Sequence, residues 1–317
     1  MEHTDNTRLQ DTLARVPQLR DFPLDQIAIV KVGGLTNRNY KITVGADSYV
    51  LRVPGEGTEQ YVDRRADEQA GRLTSNLGVN AELIHYEPGT GVQLTRYIDG
   101  ATMMTPDLFK DLDSCSRAGM VFAKLHRSGA TFYQEFNDVR KAQEYLDVLK
   151  QMGGRFPEGY DDLQKEALVV RGALLKGAPP LVPSHNDPVP ENFINTVDRM
   201  YLLDWEFAGN NDPMWDLGDL SVEGYFDERQ DRAMLTAYNG GEFSERLYSR
   251  MILQKAMVFL LWTLWGALQV ANKNPLKPSD IHYPFDDFWE YTIDRFTRCR
   301  EIMERPDFGT HIDRVRG

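Results

Sequence analysis

Residues 185–192 read His-Asn-Asp-Pro-Val-Pro-Glu-Asn, and residues 200–206 read Met-Tyr-Leu-Leu-Asp-Trp-Glu. In the first stretch Asp187 precedes Asn192 by five positions, across two prolines that favour an irregular, extended loop. In the second, an apolar run typical of a short strand ends in Asp204. Either stretch alone is also compatible with an ordinary turn beside a strand. Together they predict a phosphotransfer site in which Asp187 accepts a hydroxyl proton, while Asn192 and Asp204 bind Mg²⁺.

The chain before this loop has the pattern of a small β-rich lobe. Strand-like runs rich in β-branched and aromatic residues occupy residues 27–32, 39–44, 48–53 and 91–98. The second and third runs flank Gly-Ala-Asp, which indicates a hairpin. A polar, helix-forming segment at 64–77 is followed by a glycine, a typical helix stop.

Beyond about residue 100 the pattern is mainly helical, at 106–127, 139–150 and in long stretches after 230. A β-rich lobe followed by a larger helical lobe predicts an α+β, protein-kinase-like two-lobe fold. We place a nucleotide-binding lobe at residues 1–98 and a catalytic and acceptor-binding lobe at 99–317.

Composition and charge limit the function classes. The 317 residues include 36 Lys and Arg against 48 Asp and Glu, a net charge of −12. This balance argues against sequence-independent nucleic-acid binding, which needs basic residues to neutralise phosphates. It is compatible with a cationic small-molecule substrate. Oligomeric state has no signature in the sequence.

Targeting and redox features predict a cytoplasmic protein. The first ten residues are polar and do not resemble a secretory signal. The most apolar run, 256–268, is shorter than the roughly 20 residues of a membrane-spanning helix, so we expect a buried helix and no membrane insertion. Cys115 and Cys299 lie far apart and outside any Cys-x-x-Cys motif, which favours reduced, structural thiols.

Residues 184–217 resemble the choline/ethanolamine kinase family, within the wider aminoglycoside-phosphotransferase-like group. That family carries His-x-Asp-x4-Asn, then an apolar Asp-Trp/Phe-Glu, then Asn-x-Pro/Tyr-x2-Asp-Leu. Residues 204–217 here read Asp-Trp-Glu-Phe-Ala-Gly-Asn-Asn-Asp-Pro-Met-Trp-Asp-Leu. The resemblance extends over about residues 30–296 and implies ATP and Mg²⁺ as cofactors. It assigns the same roles to the three site residues above, and structural roles beside the loop to three others: Asp216, His185 and His126.

The resemblance also implies a nucleotide site in the first lobe. Residues 33–37 read Gly-Gly-Leu-Thr-Asn between two strands, and the family has a similar turn over the nucleotide. Glycines allow a close backbone approach to phosphates, and the polar side chains can donate hydrogen bonds. An ordinary hairpin turn is the alternative. The predicted nucleotide contacts here are Gly34, Thr36 and Asn37.

Arg52 ends the third strand, where protein kinases have a phosphate-binding lysine, and choline kinases are similar to this chain in having Arg there. A guanidinium can bind phosphate oxygens with two parallel hydrogen bonds. We predict that Glu68 on the following helix pairs with it, with Asp67 as the fallback. Adenine is expected against the backbone around Thr95 and Tyr97.

A pair of indoles points to the acceptor. Trp262 and Trp265 are three positions apart and therefore on one helix face. Quaternary ammonium groups are held by cation–π contacts, best with Trp, although tryptophans in an apolar helix are commonly core residues. Choline kinases have a similar Trp-x-x-Trp beside the choline pocket. The resemblance implies that Glu223, Tyr225 and Tyr291 complete an acceptor cage.

The predicted function is ATP- and Mg²⁺-dependent phosphotransfer to choline or a related amino alcohol. Three alternatives stay open: another amine-bearing alcohol or sugar (ethanolamine, thiamine or an aminoglycoside), a non-catalytic ATP-binding module of the kinase fold, and a protein kinase. The presence of Asp187, Asn192 and Asp204 argues against the module. A clear Asp-Phe-Gly and an Ala-Pro-Glu segment are missing, which argues against a protein kinase.

Overall fold

An antiparallel sheet is the centre of the N-terminal part of the computed structural model, which describes residues 2–33, 37–55, 62–276 and 284–317. The strands are β1 Ile27–Gly33, β2 Arg38–Val44, β3 Asp47–Val53, β4 Leu83–Glu87 and β5 Val92–Arg96. Their spatial order is β1-β2-β3-β5-β4. The predicted strands and the β2–β3 hairpin are confirmed, and Gly45 turns the hairpin with a φ of +57°. The sequence pattern did not indicate β4.

Helix α1 (Glu2–Arg15) packs through its last turns on the sheet. Leu9, Leu13 and Val16 are buried in one cluster with Leu51 of the sheet. Their spacing of four and three residues places them on one face of a helix. The polar start of the chain masked this amphipathic pattern in the sequence analysis.

Helix α2 (Arg64–Asn76) confirms the helix predicted at 64–77. Asp63 caps its first turn, accepting hydrogen bonds from the backbone N–H of Arg65 (2.8 Å) and Ala66 (3.3 Å). Gly78, with a φ of +62°, lies just past its end. One face of this helix packs against the sheet, with contacts to β4 and a hydrogen bond from Gln93 of β5 to Asp67 at 2.9 Å.

Helices dominate the rest of the chain. They are α3 Leu112–His126, α4 Asp138–Met152, α5 Tyr160–Lys176, α6 Pro213–Glu223, α7 Glu228–Tyr238, α8 Glu245–Ala271, α9 Phe288–Met303 and α10 Phe308–Arg316. Five short strands lie among them: β6 Thr102–Met103, β7 Val182–Ser184, β8 Phe193–Asn195, β9 Met200–Leu202 and β10 Gly209–Asn211. These strands pair as β6-β8-β9 and β7-β10. The mixed α+β architecture of the prediction is confirmed.

The long helix α8 is the centre of the C-terminal core and packs against α6 and α9. By length and composition alone it could cross a membrane, but 83% of its most apolar stretch is buried inside the protein. The buried helix predicted at 256–268 is therefore confirmed. Cys115 and Cys299 are free and buried, and each thiol contacts a backbone carbonyl.

Two hydrophobic clusters form the interior of the described residues. The smaller joins α1 to the sheet, and the larger fills the helical part. The larger cluster also includes Ala70 of α2 and Val79. The N-terminal part is thus tied to the helical part by shared packing, and the lobe boundary at residue 98 stays a prediction.

Candidate active site

The buried carboxylate of Asp216, in the first turn of α6, holds the loop between β7 and β8. It accepts hydrogen bonds from the backbone N–H of His185 (2.8 Å) and of Asn186 (2.8 Å). Its Oδ2 also lies 3.0 Å from Nε2 of His126, whose Nδ1 is 3.2 Å from the hydroxyl of Tyr238. These are the contacts expected of residues that brace the loop, as predicted for Asp216 and His126.

His185 connects the same loop to the end of β9. Its Nε2 lies 2.8 Å from the backbone carbonyl of Leu203, which can only accept, so this nitrogen carries the proton. Its Nδ1 accepts from the backbone N–H of Asp187 at 3.3 Å. Burial lowers the pKa of His185, and Trp205 packs against the ring at 4.7 Å. A neutral, fully bonded imidazole suits the predicted structural role.

Asn186 organises the loop from the inside, and the sequence analysis did not identify it. Its φ is +70°, a left-handed conformation that asparagine tolerates better than most residues. Its Nδ2 lies within 3.2 Å of the backbone carbonyls of Ser184, Phe207 and Gly209, while its Oδ1 accepts from Nδ2 of Asn211 at 2.9 Å. The conformation and these bonds turn the chain so that the next residue, Asp187, leaves the core.

Asp187 is half-buried, whereas its neighbours Asn186 and Pro188 are buried. Nδ2 of Asn192 donates to its backbone carbonyl at 3.0 Å, so Oδ1 of Asn192 is the atom left for a metal ion. Burial, and then the charges of Glu223 and Asp204, raise the pKa of Asp187 well above its usual range. The surrounding carboxylates give the site an excess of negative charge, which favours bound cations.

Arg52 of β3 bridges the two halves of the site. Its guanidinium lies 2.8 Å from Oδ1 of Asp204 and 2.7 Å from Oε2 of Glu206, which also accepts from Nδ2 of Asn37 at 3.0 Å. Burial, and to a smaller extent the negative charge of Asp204, raise the pKa of Glu206 to about 7. Asp204 has a φ of +65°, an uncommon conformation for a side-chain-bearing residue and one often found at functional sites. The β-rich part and the acids after β9 thus meet at Arg52.

The predicted pairing of Arg52 with Glu68 is wrong. Oδ1 of the buried Asp67 lies 3.9 Å from the Arg52 guanidinium, and its Oδ2 accepts from the Tyr86 hydroxyl at 2.9 Å. Glu68 instead forms an ion pair with Arg72, one turn further along the helix, at 2.8 Å. Consecutive helical residues point about 100° apart, so only one of the two neighbouring acids can face the sheet.

The remaining nucleotide predictions are only partly covered by the structure. Gly34 and Thr36 lie outside the described residues. Thr95 is in β5, paired with β3 and β4. The backbone N–H of Tyr97 donates to the carbonyl of Ser48 at 3.0 Å. That amide is therefore already bonded within the protein, and the adenine contacts of Thr95 and Tyr97 stay predictions.

The donor set at this site suits Mg²⁺. The ion prefers oxygen ligands and is commonly bound by one or two carboxylates together with substrate phosphates and water. Asn192 and Asp204 offer an amide and a carboxylate oxygen beside the loop of Asp187. Within the described ranges, no group of three or more His, Cys, Asp or Glu residues could hold a metal ion. The two residues would therefore need phosphate or water oxygens to complete the coordination.

Trp262 lies beside a carboxylate that the sequence analysis did not identify. Its Nε1 donates to Oδ1 of Asp219 at 2.9 Å, and its ring centre is 6.5 Å from Phe207 and 6.3 Å from Trp265. Burial, followed by the charges of Glu223 and Asp187, raises the pKa of Asp219 well above its usual range. The charge of Asp187 thus acts on this carboxylate.

A spacing signal for Asp219 is present in the sequence. Asp216, Asp219 and Glu223 occupy positions i, i+3 and i+7 of α6, one face of a helix, and all three are buried. Only the first and last of them matched the family pattern. The helix directs this row of acids towards the loop and towards α8 and α9.

The predicted acceptor cage contains an internal cation. Tyr291 lies 5.6 Å from Trp265, ring centre to ring centre, as a cage would require. The fully buried Arg295 lies over Tyr291 at 4.4 Å and over Tyr225 at 5.6 Å. Its Nη2 pairs with Oε2 of Glu223 at 2.9 Å. The five predicted cage residues are therefore near one another, but three of them contact Arg295, to which the sequence analysis assigned no role.

Comparisons with known proteins find a family model and solved structures that match this chain. The model of the phosphotransferase enzyme family matches residues 29–251. The crystal structure of a choline/ethanolamine kinase family protein from Mesorhizobium loti is 42% identical, with a TM-score of 0.85, over 98% of this chain and 99% of that one.

Two more distant proteins carry the name LicA. The crystal structure of choline kinase LicA from Streptococcus pneumoniae is 20% identical, with a TM-score of 0.77, over 95% of this chain and 99% of that one. Protein LicA of Haemophilus influenzae is 24% identical over 285 residues, which are 88% of this chain and 80% of that protein. The first of these similarities shows the shared fold.

Proposed function

Since the chain belongs to the phosphotransferase enzyme family, and within it to the choline/ethanolamine kinase family, we propose that it transfers the γ-phosphate of ATP to the hydroxyl of choline, with Mg²⁺ as cofactor. The kinase assignment follows from the family. Choline as the acceptor is supported by the name of the S. pneumoniae structure and by the indoles and carboxylates of this chain.

One observation is the main structural support for choline as the acceptor. The indole of Trp262 donates to the carboxylate of Asp219, and the charge of Asp187 acts on that carboxylate, in a part of the protein with surplus negative charge. An aromatic face combined with negative charge suits a methylated ammonium, which cannot donate conventional hydrogen bonds. The acceptor's hydroxyl would then point to the loop of Asp187, and its ammonium to Trp262.

Each polar side chain has a defined task in this proposal. Asn192 and Asp204 would hold Mg²⁺, and Arg52 would bind phosphate oxygens of the nucleotide. When bound, Mg²⁺ neutralises charge that develops on the transferred phosphoryl group and its leaving oxygen. Arg52 is already fixed between Asp204, just after β9, and Asp67 of α2, so its guanidinium is held in place before the nucleotide arrives.

Asp187 orients the acceptor hydroxyl and receives its proton. As the hydroxyl oxygen bonds to the γ-phosphorus, the bond from that phosphorus to the β–γ bridging oxygen breaks and ADP leaves. Burial, and then the nearby carboxylates, raise the pKa of Asp187, and a bound cation would oppose the effect of those carboxylates. The anchored loop holds the carboxylate in position, and positioning can supply a large part of the acceleration.

A panel of acceptors tests the proposal. Purified protein is mixed with MgATP and choline, ethanolamine, thiamine or an aminoglycoside, and both ADP release and the phosphorylated product are measured. Choline should give the highest kcat/KM, and Asp187→Ala should abolish most of the signal. A higher kcat/KM with another acceptor would replace choline, and ATP binding without transfer to any acceptor would support a non-catalytic module.

The proposed location is the cytoplasm. Helix α8 is buried as in the core of a soluble protein, and both cysteines are free. Free buried thiols are typical of reducing compartments. ATP, the proposed phosphate donor, is available there.

A further inference from the structure

We propose that Asp219 supplies the negative charge by which the enzyme selects a cationic over a neutral acceptor, acting through the indole of Trp262. This inference rests on the proposed function and names the residue that makes the enzyme prefer a charged acceptor. Asp219 is then a positioning residue, because the indole rather than the carboxylate contacts the acceptor.

The bonding of Asp219 is incomplete. The side chain is fully buried, and its Oδ1 accepts one hydrogen bond, from Nε1 of Trp262. Its Oδ2 has no hydrogen-bond partner within the described part of the chain. A buried carboxylate with an unsatisfied oxygen is costly unless a positive charge is brought near it. A cation on the far side of the indole would provide that charge.

The other candidate carboxylate is already compensated. Glu223 lies one turn beyond Asp219 on the same helix, and its Oε2 pairs with the fully buried Arg295 at 2.9 Å. Arg295 also lies over Tyr291 at 4.4 Å, so this ring already has a cation on it. An acceptor's ammonium would meet a guanidinium at Glu223. At Asp219 it would favour the ionised form of the carboxyl and so oppose the burial that raises the pKa of this group.

Trp262 is positioned so that the negative charge of Asp219 strengthens the attraction of its ring for a cation. Its N–H points to the carboxylate of Asp219, which fixes the orientation of the ring, and Phe207 lies at 6.5 Å from its centre. A carboxylate that accepts from the indole N–H increases the negative potential of the ring, and cation–π attraction grows with that potential. The enclosed surroundings screen the attraction far less than water would.

The test compares choline with 3,3-dimethyl-1-butanol, its uncharged carbon analogue of the same shape. The wild-type enzyme should favour choline in KM by about tenfold or more, as a charge-assisted cation–π site predicts. The variant Asp219→Asn keeps an oxygen that can accept from Trp262 but removes the charge. It should bring the two KM values within about threefold of each other and leave the KM for ATP unchanged.

A matched control is Asp294→Asn, which removes a half-buried carboxylate that contacts Arg295. It should retain the preference for choline, and thermal unfolding will verify that both variants are folded. The inference is overturned if Asp219→Asn keeps the wild-type preference, or if it impairs both alcohols equally, as a merely structural role would. If the wild-type enzyme phosphorylates neither alcohol, the proposed function fails instead.

Discussion

Replacing Asp216 by Asn should damage turnover more than substrate binding. The change preserves the shape of the side chain but converts one carboxylate oxygen into an NH₂ group. In the native protein Oδ1 accepts from the backbone of Asn186, while Oδ2 accepts from that of His185 and contacts His126. Whichever way the new amide turns, its NH₂ group faces a buried N–H donor.

The magnitude follows from these bonds. One buried N–H loses its acceptor, which costs about 1–3 kcal/mol, and each remaining bond loses the contribution of the negative charge, about 1 kcal/mol. The free energy of unfolding should therefore fall by about 3–5 kcal/mol, out of the ~5–15 kcal/mol typical of a protein. Because the loop also positions Asp187, a shift of about 1 Å there would reduce kcat roughly 10²-fold.

Urea unfolding followed by circular dichroism measures the first effect, and steady-state kinetics with choline and ATP the second. The control is Asp231→Asn, since Asp231 is also a buried aspartate of the helical part and pairs with Lys255 at 2.9 Å. It should lose a similar amount of stability but retain kcat within about threefold, because it does not contact the loop. Equal kcat losses in the two variants would refute the bracing role of Asp216.

Three further changes have expected outcomes. Asp187→Ala should lower kcat by about 10² or more in the choline assay, as for loss of a general base, and full activity would remove Asp187 from the mechanism. Asp67→Asn should raise the KM for ATP about tenfold, because the buried Arg52 loses an acid partner. Glu68→Gln should leave that KM near the wild-type value. A larger effect of Glu68→Gln would instead support the predicted pairing of Arg52 with Glu68. Gly119→Ala should lower the free energy of unfolding in urea by about 3 kcal/mol, since a Cβ there would overlap the backbone carbonyl of Met234; an unchanged midpoint would contradict this close packing of α3 on α7.

Local sequence patterns predicted those helices and strands whose formation depends mainly on residues close to them in the sequence. The β2–β3 hairpin, α2 and the buried part of α8 follow from alternation, capping and hydrophobicity. The loop of Asp187 was predictable because the proposed phosphotransfer requires two residue types at a fixed short spacing. Fold class could be inferred for the same reason, since these segments occur in a fixed order.

Long-range contacts were not predictable in this way. Whether Asp67 or Glu68 faces β3 depends on the rotation of α2 against the sheet, which the helix sequence alone does not fix. Arg295 is one of several charged residues on α9, and its complete burial depends on Glu223 from another helix. Asp219 shows the same limitation, since its partner Trp262 is 43 residues away.

In the proposed function, helix α6 sets a fixed spacing between the reacting hydroxyl of the acceptor and the carboxyl that attracts its ammonium. Its first turn anchors the loop of the reacting hydroxyl, and its next turns carry Asp219 and Glu223. A helix rises ~1.5 Å per residue, so the anchor and the first of these acids are about 4.5 Å apart along the axis. A fixed spacing of this kind tolerates different substituents on the acceptor's nitrogen more readily than a different number of carbons between its nitrogen and its oxygen. Redesigning the enzyme for longer amino alcohols would therefore require moving the helix, and any such movement would also disturb the loop.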